Sequence, residues 1–242
     1  MIIGLLHPGE MGAALGDALV AGGHEVLWAS EGRSEATRAR AAAFRDAGTA
    51  AGVAAASDVI LSVCPPHAAV EVASATAGFP GLYVDANAIS PATAREVAAL
   101  HERFVDGGII GSPPRAAGTT RLYLSGDDAH AVAGLFAGSV VDARVVSGAS
   151  ALKMVYAAWS KGTAALLLAI RDVARAEGVW DDLQEEWRES APELFDRLAG
   201  AERSAAAKGW RWIGEMEEIA DTFAAAGAPA GFHRAAAEVY RG

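Results

Sequence analysis

The chain opens on Ile2-Ile3-Gly4-Leu5-Leu6, turns at His7-Pro8-Gly9 and continues as Glu10-Met11-Gly12-Ala13-Ala14-Leu15-Gly16. A short apolar run, a glycine turn and an alanine-rich helix former, in that order, begin a βαβ unit and leave few folds open. A strand apolar throughout must be covered on both faces, so the rest of the chain has to supply further strands with helices between them. It does so. Apolar runs at 25–29, 59–63, 82–85, 104–107 and 122–125, with a seventh candidate at 144–146, alternate with helix-compatible stretches and predict a mostly parallel, Rossmann-type sheet.

After Ser147 the character changes. Residues 151–177 contain no proline and one glycine and stop at Gly178, which predicts one helix of about 40 Å. The segment 180–242 carries four of the six tryptophans and reads as several helices broken near Pro192, Gly200, Gly209 and Gly227 to Pro229. The expected organisation is therefore an α/β domain at 1–148 and an all-α domain at 149–242 that begins with a long interdomain helix. A helix longer than the small domain available to cover it needs a partner, which predicts a homodimer or higher oligomer.

In the opening turn, Gly9 lets the backbone approach a pyrophosphate and Gly12 lets the helix pack on the strand. The free N–H groups of the first helical turn, at Glu10 and Met11, favour negative charge. His7 stands where the G-x-G-x-x-G pattern has its first glycine. By spacing alone, a dinucleotide turn and a plain tight turn both fit, and His7 reads either as a neighbour of the cofactor or as a loop histidine without a chemical role.

Composition narrows the partners. Thirty Asp and Glu against twenty Lys and Arg give a net charge of −10, which repels a nucleic-acid backbone or an anionic membrane. The only cysteine is Cys64, so no intrachain disulfide forms, as suits the reducing cytoplasm. The apolar start is too short for a secretion signal and no run is long enough to span a membrane, so a cytoplasmic, soluble protein is expected. His67, His101, His130 and His233 share no metal-ligand spacing, and no metal is expected.

Several segments carry a more specific likeness. His7-Pro8-Gly9-Glu10-Met11-Gly12 followed by Gly23-His24-Glu25-Val26 resembles the opening of the β-hydroxyacid dehydrogenase and 6-phosphogluconate dehydrogenase superfamily. Later stretches match in order: Asp58-Val59-Ile60-Leu61-Ser62-Val63-Cys64-Pro65-Pro66, Asp85-Ala86-Asn87-Ala88-Ile89-Ser90-Pro91 and Asp106-Gly107-Gly108-Ile109-Ile110-Gly111-Ser112-Pro113. The likeness continues through Gly148 and Lys153. Arg211-Trp212-Ile213-Gly214-Glu215-Met216-Glu217-Glu218-Ile219-Ala220 is similar to the C-terminal domain of a less characterised branch of that group.

The resemblance implies an NAD(P)-dependent oxidoreductase acting on a small carbonyl or hydroxy compound of the hydroxy-acid type. Its cofactor surface takes in Pro8, Cys64, Pro65, Pro66 and Asn87. At the second strand end, where an NAD enzyme carries an acid, the chain has Ser30-Glu31-Gly32-Arg33-Ser34. Arg33 suits a 2′-phosphate and Ser30 and Ser34 add hydroxyls, which favours NADPH over NADH, while Glu31 keeps a ribose-binding role open.

The resemblance also places the catalytic lysine at Lys153, able to give a proton to a carbonyl oxygen as hydride arrives. Spacing alone reads Lys153 as a surface lysine stretching to water, and the resemblance reverses that reading. Where the superfamily has asparagine four residues later, this chain has Ala157, and Tyr156 is the alternative donor, unless it is a core tyrosine. The usual Ser-Gly-Gly substrate turn appears as Ile110-Gly111-Ser112, leaving Gly111 and Ser112, with Asn87 and Ser90, as the expected substrate contacts. The superfamily also implies an active cleft shared between two subunits. Imine reduction on the same fold and a dinucleotide-binding protein without catalysis are the alternatives. Decarboxylation of 6-phosphogluconate is disfavoured, since the second domain is short and shows no phosphate-binding cluster.

Overall fold

The computed structural model describes residues 1–242, which divide into two compact units, Met1–Lys153 and Met154–Gly242. The first unit starts β1 (Ile2–Leu6), α1 (Glu10–Ala21), β2 (Glu25–Trp28), α2 (Glu35–Arg40), β3 (Arg45–Asp46), α3 (Ala50–Ala56) and β4 (Val59–Ser62). It continues α4 (Ala69–Ser74), β5 (Leu82–Asp85), α5 (Pro91–Ala98), β6 (Arg103–Gly111), β7 (Thr120–Ser125), α6 (Ala129–Leu135) and β8 (Val141–Val145). The long helix α7 (Ala149–Ala176) starts in the first unit and ends in the second, where α8 (Trp180–Ser190), α9 (Glu193–Ala225) and α10 (Gly231–Arg241) follow.

The eight strands form one sheet in the order β3-β2-β1-β4-β5-β6-β7-β8. All neighbours are parallel except β6 and β7. The connection between that pair, residues 112–119, is too short for a helical crossover, so the chain turns straight back. Side chains alternate between two buried faces: Ile3, Leu5, Val59, Leu61, Leu82 and Val84 join Leu15 and Leu19 of α1 on one side. Leu6, Ile60 and Tyr83 join Val53 of α3 and Val97 of α5 on the other. The apolar runs carry no polar alternation for that reason.

The edge strand β3 escaped the sequence reading because its two residues are exposed and charged. It is held by Arg45 paired with Glu25 across the edge at 2.7 Å. β6 runs on past Gly107 and Gly108 rather than ending there. A Cβ at Gly107 would lie 2.6 Å from the Asp85 carbonyl, so the glycine lets β5 and β6 approach.

In the second unit, the expected breaks at Gly200 and Gly209 do not occur, and α9 runs unbroken for 33 residues. An interior glycine costs about 1 kcal/mol, which the packing of a long amphipathic helix offsets. Gly209 is buried with the Tyr240 ring of α10 at 3.8 Å from where its Cβ would be. The breaks at Pro192 and around Gly227 are real. No helix is long and apolar enough to cross a membrane.

Candidate active site

The strand order reverses between β1 and β4, and in open parallel sheets ligands bind outside the carboxyl ends of the strands at that point. The β1–α1 turn lies there. Gly9 is the N-cap of α1, with no side chain bonded to the helix end, and a Cβ on it would meet nothing within 4 Å. The first-turn N–H groups thus have no capping side chain. A Cβ at Gly12 would lie 2.6 Å from the His7 carbonyl, so only glycine lets α1 sit this close. Glu10 is exposed, Met11 packs on the core and the Pro8 carbonyl accepts from Arg40 Nε at 3.3 Å. His7 has φ 65° and a buried Nδ1 without a hydrogen-bond partner. Burial, and then the charge of Arg33, push the imidazole down to about 4.

The β2–α2 loop stands beside this turn. The Ser30 hydroxyl and the Gly48 N–H hold the Asp46 carboxyl below its usual range, and the Ser30 carbonyl accepts from Arg38 Nη2 at 2.8 Å. Ser34 caps α2, its hydroxyl accepting from the Thr37 N–H at 3.3 Å. Glu31 is exposed. Arg33 Nε is buried without a partner, while Arg38 and Arg40 hold carbonyls of the same two loops. Three arginines therefore gather at one strand end of a chain whose net charge is −10. Sequence reading singled out Arg33 alone. The run Arg33, Arg38, Arg40 was the available signal, and it needed the fold to show that α2 turns back over the glycine loop.

Behind Cys64-Pro65-Pro66 a buried network joins β4 to β5. The Asn87 side-chain carbonyl accepts from the Cys64 N–H at 2.5 Å, and its amide donates to Ser62 Oγ at 3.1 Å and Asp85 Oδ2 at 2.7 Å. Asn87 therefore uses both amide hydrogens internally and holds the loop in shape. Burial and the Asp85 charge push the Cys64 thiol up to about 12, which leaves it neutral and a poor nucleophile. Ser90 caps α5, accepting from the Thr93 N–H at 3.2 Å. Gly111 closes β6 with φ 127°, and Ser112 beyond it is exposed, its carbonyl accepting from Thr120 Oγ1.

The start of α7 is seated on β6 and β7. Asp106 and Ser125, cross-strand partners, cap it together. Asp106 Oδ2 accepts from the Ser150 N–H at 2.9 Å and Ser125 Oγ from the Ala149 N–H at 2.9 Å. A Cβ on Gly108 would lie 2.8 Å from the Ala149 carbonyl and 2.9 Å from Lys153 Cβ. The Asp106-Gly107-Gly108 stretch is thus the bed of this helix, and it fixes where the stem of the half-buried Lys153 begins. Neither capping residue was assigned a role from sequence, because a cap supplied from another strand leaves no local signature. Tyr156 lies in the second unit and is 45% exposed, so it is not a core tyrosine, whereas Ala157 is buried. Lys161 is paired with Glu215. No three His, Cys, Asp or Glu side chains are grouped to hold a metal ion. The open Gly9, the uncapped α1 and the two buried, unpartnered nitrogens at His7 and Arg33 fit a dinucleotide.

Comparison with known proteins agrees with this geometry. Residues 2–89 match the family of coenzyme F420-dependent NADP oxidoreductases and residues 174–242 match a domain of unknown function, DUF1932. An uncharacterised 28.5 kDa protein of Methanothermus fervidus is 33% identical over 145 residues, 57% of this chain and 57% of that one. The match therefore spans little more than half the length of this curated relative. Among solved structures, MTH1747, a protein of unknown function with structural similarity to 3-hydroxyacid dehydrogenases, is 26% identical, with a TM-score of 0.71 over 100% of this chain and 97% of its own. Mycobacterium tuberculosis 3-hydroxyisobutyrate dehydrogenase, solved with L-serine, is 22% identical, with a TM-score of 0.67 over 99% and 92%. A reductive aminase from Aspergillus terreus, solved with NADPH, cyclohexanone and allyl amine, is 19% identical, with a TM-score of 0.59 over 96% and 89%. The chain has the NAD(P)-binding fold of these dehydrogenases and reductases, and the resemblance read from the sequence is borne out.

Proposed function

We propose that the protein is an NADPH-linked oxidoreductase that moves hydride to or from the carbon of a small carbonyl or hydroxy compound, with Lys153 as general acid and base. The observation that carries the cofactor reading is the arginine group at the β2–α2 loop, with Arg33 Nε buried and unpartnered beside the open glycine turn. In this reading Gly9, Glu10, Met11 and Gly12 present backbone to the pyrophosphate, and Arg33 and Ser34 face the 2′-phosphate, while the Ser30 hydroxyl, expected there from sequence, is engaged with Asp46. Cys64, Pro65, Pro66 and Asn87 shape the wall behind the nicotinamide half.

Nicotinamide supplies the hydride. The chain's own work is to hold a carbonyl compound, with Ser90, Gly111 and Ser112 as the expected contacts, and to bring a proton to its oxygen from Lys153 Nζ. Purified protein mixed with NADPH and a panel of 2-keto acids, aldehydes and cyclic imines, followed by cofactor absorbance, tests the reading. Turnover of an oxo or hydroxy acid supports it. Turnover of imines alone favours imine reduction, a reading that the retained Lys153 disfavours. No turnover in the presence of tight cofactor binding points to a protein that binds without catalysis.

NADPH should bind at least tenfold tighter than NADH, and Arg33→Ala should remove most of that difference, since a bidentate phosphate contact contributes roughly 1.5–3 kcal/mol. Equal dissociation constants in the unmutated protein would return Glu31 to the ribose-binding role.

The protein's partner is a second copy of itself, with the cleft shared between subunits. Val155, Trp159, Leu166 and Val173 of α7 recur at helical spacing and are all exposed on the single chain, Trp159 by 60%. Light scattering at micromolar concentration should give a mass of at least twice 24.7 kDa, and Trp159→Glu should return it to that of one chain. The single, buried Cys64 is consistent with a cytoplasmic setting.

A further inference from the structure

The one non-glycine residue of the chain with a positive φ is His7, at the position where the dinucleotide fingerprint has its first glycine. A side chain held in the left-handed region is strained and persists where the surroundings give it something to do. The turn itself has no need of an imidazole. Its one backbone bond, from the Gly9 N–H to the His7 carbonyl at 2.8 Å, would form equally with glycine, and Gly12 is fitted to that carbonyl and not to the ring. No protein group needs the ring either, since Nδ1 is buried and bonded to nothing.

Arg33 supplies the second half of the observation. Its Nε is likewise buried and unpartnered, and its charge adds to burial in disfavouring the protonated imidazole of His7. Two polar groups on adjacent strand ends, a cation and a neutral ring with one N–H donor, thus each keep a buried nitrogen without a partner. A phosphate oxygen accepts from both, and its negative charge offsets the guanidinium that the ring alone cannot. A ribose hydroxyl can accept from both but carries no charge to offset the guanidinium. The end of β2, which carries Arg33, is where the adenosine ribose of a bound dinucleotide lies. The phosphate at that place is the 2′-phosphate.

We infer that His7 is a specificity-determining residue which, together with Arg33, holds the 2′-phosphate of an NADP-type cofactor. The inference rests on the NADPH reading above and adds to it the reason for a histidine at a glycine position.

His7→Gly completes the fingerprint and removes the backbone strain, so it should not weaken cofactor binding if the ring has no part in it. Both proteins are titrated with NADPH and NADH by cofactor fluorescence and with 2′,5′-ADP by calorimetry. The expected result is a loss of about tenfold for NADPH and for 2′,5′-ADP, with NADH unchanged, the size of one lost hydrogen bond to a charged group. Equal losses for NADPH and NADH would assign the ring to the pyrophosphate and overturn the inference. So would unchanged or improved binding of all three. The ratio of NADPH to NADH affinity is read within one preparation, so a change in stability does not move it. A wild-type protein that prefers neither cofactor overturns the NADPH reading and this inference with it, whereas a wild-type preference that is undiminished in His7→Gly overturns the inference alone.

Discussion

Lys153→Ala lowers turnover roughly 10²- to 10⁴-fold, measured as NADPH oxidation on the best substrate of the panel, while the NADPH dissociation constant stays unchanged. The separation follows from where the groups lie. The expected cofactor contacts hang from the loops after β1, β2, β4 and β5, whereas Lys153 sits on the second turn of α7, whose first turn is seated by Asp106 and Ser125 on β6 and β7. Lys153→Arg does not rescue, because a guanidinium stays protonated near neutral pH and does not give its proton up. A lysine that only stretches its stem over Gly108 and shows its charge to water would leave turnover intact. Full turnover of Lys153→Ala on a confirmed substrate would remove the hydroxyacid-dehydrogenase mechanism and promote the imine reading with another donor.

Glu215→Ala destabilises the helical unit by about 3–5 kcal/mol, the cost of removing one partner of a buried ion pair. Glu215 of α9 pairs with Lys161 of α7, their side chains 9% and 15% exposed, and Lys161 Nζ also lies 5.6 Å from the centre of the Trp212 ring. The Tyr240 hydroxyl donates to the Lys161 carbonyl at 2.6 Å, and the Tyr240 ring meets Trp212 edge-on, so three helices converge on one lysine. Urea unfolding followed by tryptophan fluorescence measures the loss. Replacing both partners, Lys161→Met with Glu215→Leu, recovers most of it, since apolar groups of similar volume leave no buried charge. A change under about 1 kcal/mol in Glu215→Ala would mean that water reaches the pair and screens it.

That pair also accounts for the Trp212-Ile213-Gly214-Glu215 stretch, whose likeness to a less characterised branch was plain from sequence but whose purpose was not. Trp212 and Glu215 stand three residues apart on a helix and so share the face that closes on Lys161. The sequence spacing of Lys153, Tyr156, Ala157, Ser160 and Lys161 suggested a single functional face. Burial divides it, for Tyr156 and Ser160 are exposed, Ala157 is buried and Lys161 is turned toward Glu215. Helical periodicity says which residues share a direction; only the neighbouring helices decide which of them meet solvent, core or an opposite charge.

What the sequence determined by itself is local and repetitive. The five-residue strand β1, the glycines at 9 and 12, the apolar runs of β2, β4 and β5 and the single long helix ending at Gly178 follow from burial on two faces, close backbone approach and unbroken helix formers. None of these needs a distant partner to be recognised. The tertiary structure alone decided the exposed edge strand β3, the reversal at β7, the continuation of α9 through Gly200 and Gly209, the gathering of Arg38 and Arg40 with Arg33, and the cap that Asp106 and Ser125 supply to α7. Each joins residues brought together by the sheet or by helix packing rather than by the chain. An intrinsic preference of about 1 kcal/mol, such as that of a glycine to break a helix, gives way where such packing opposes it.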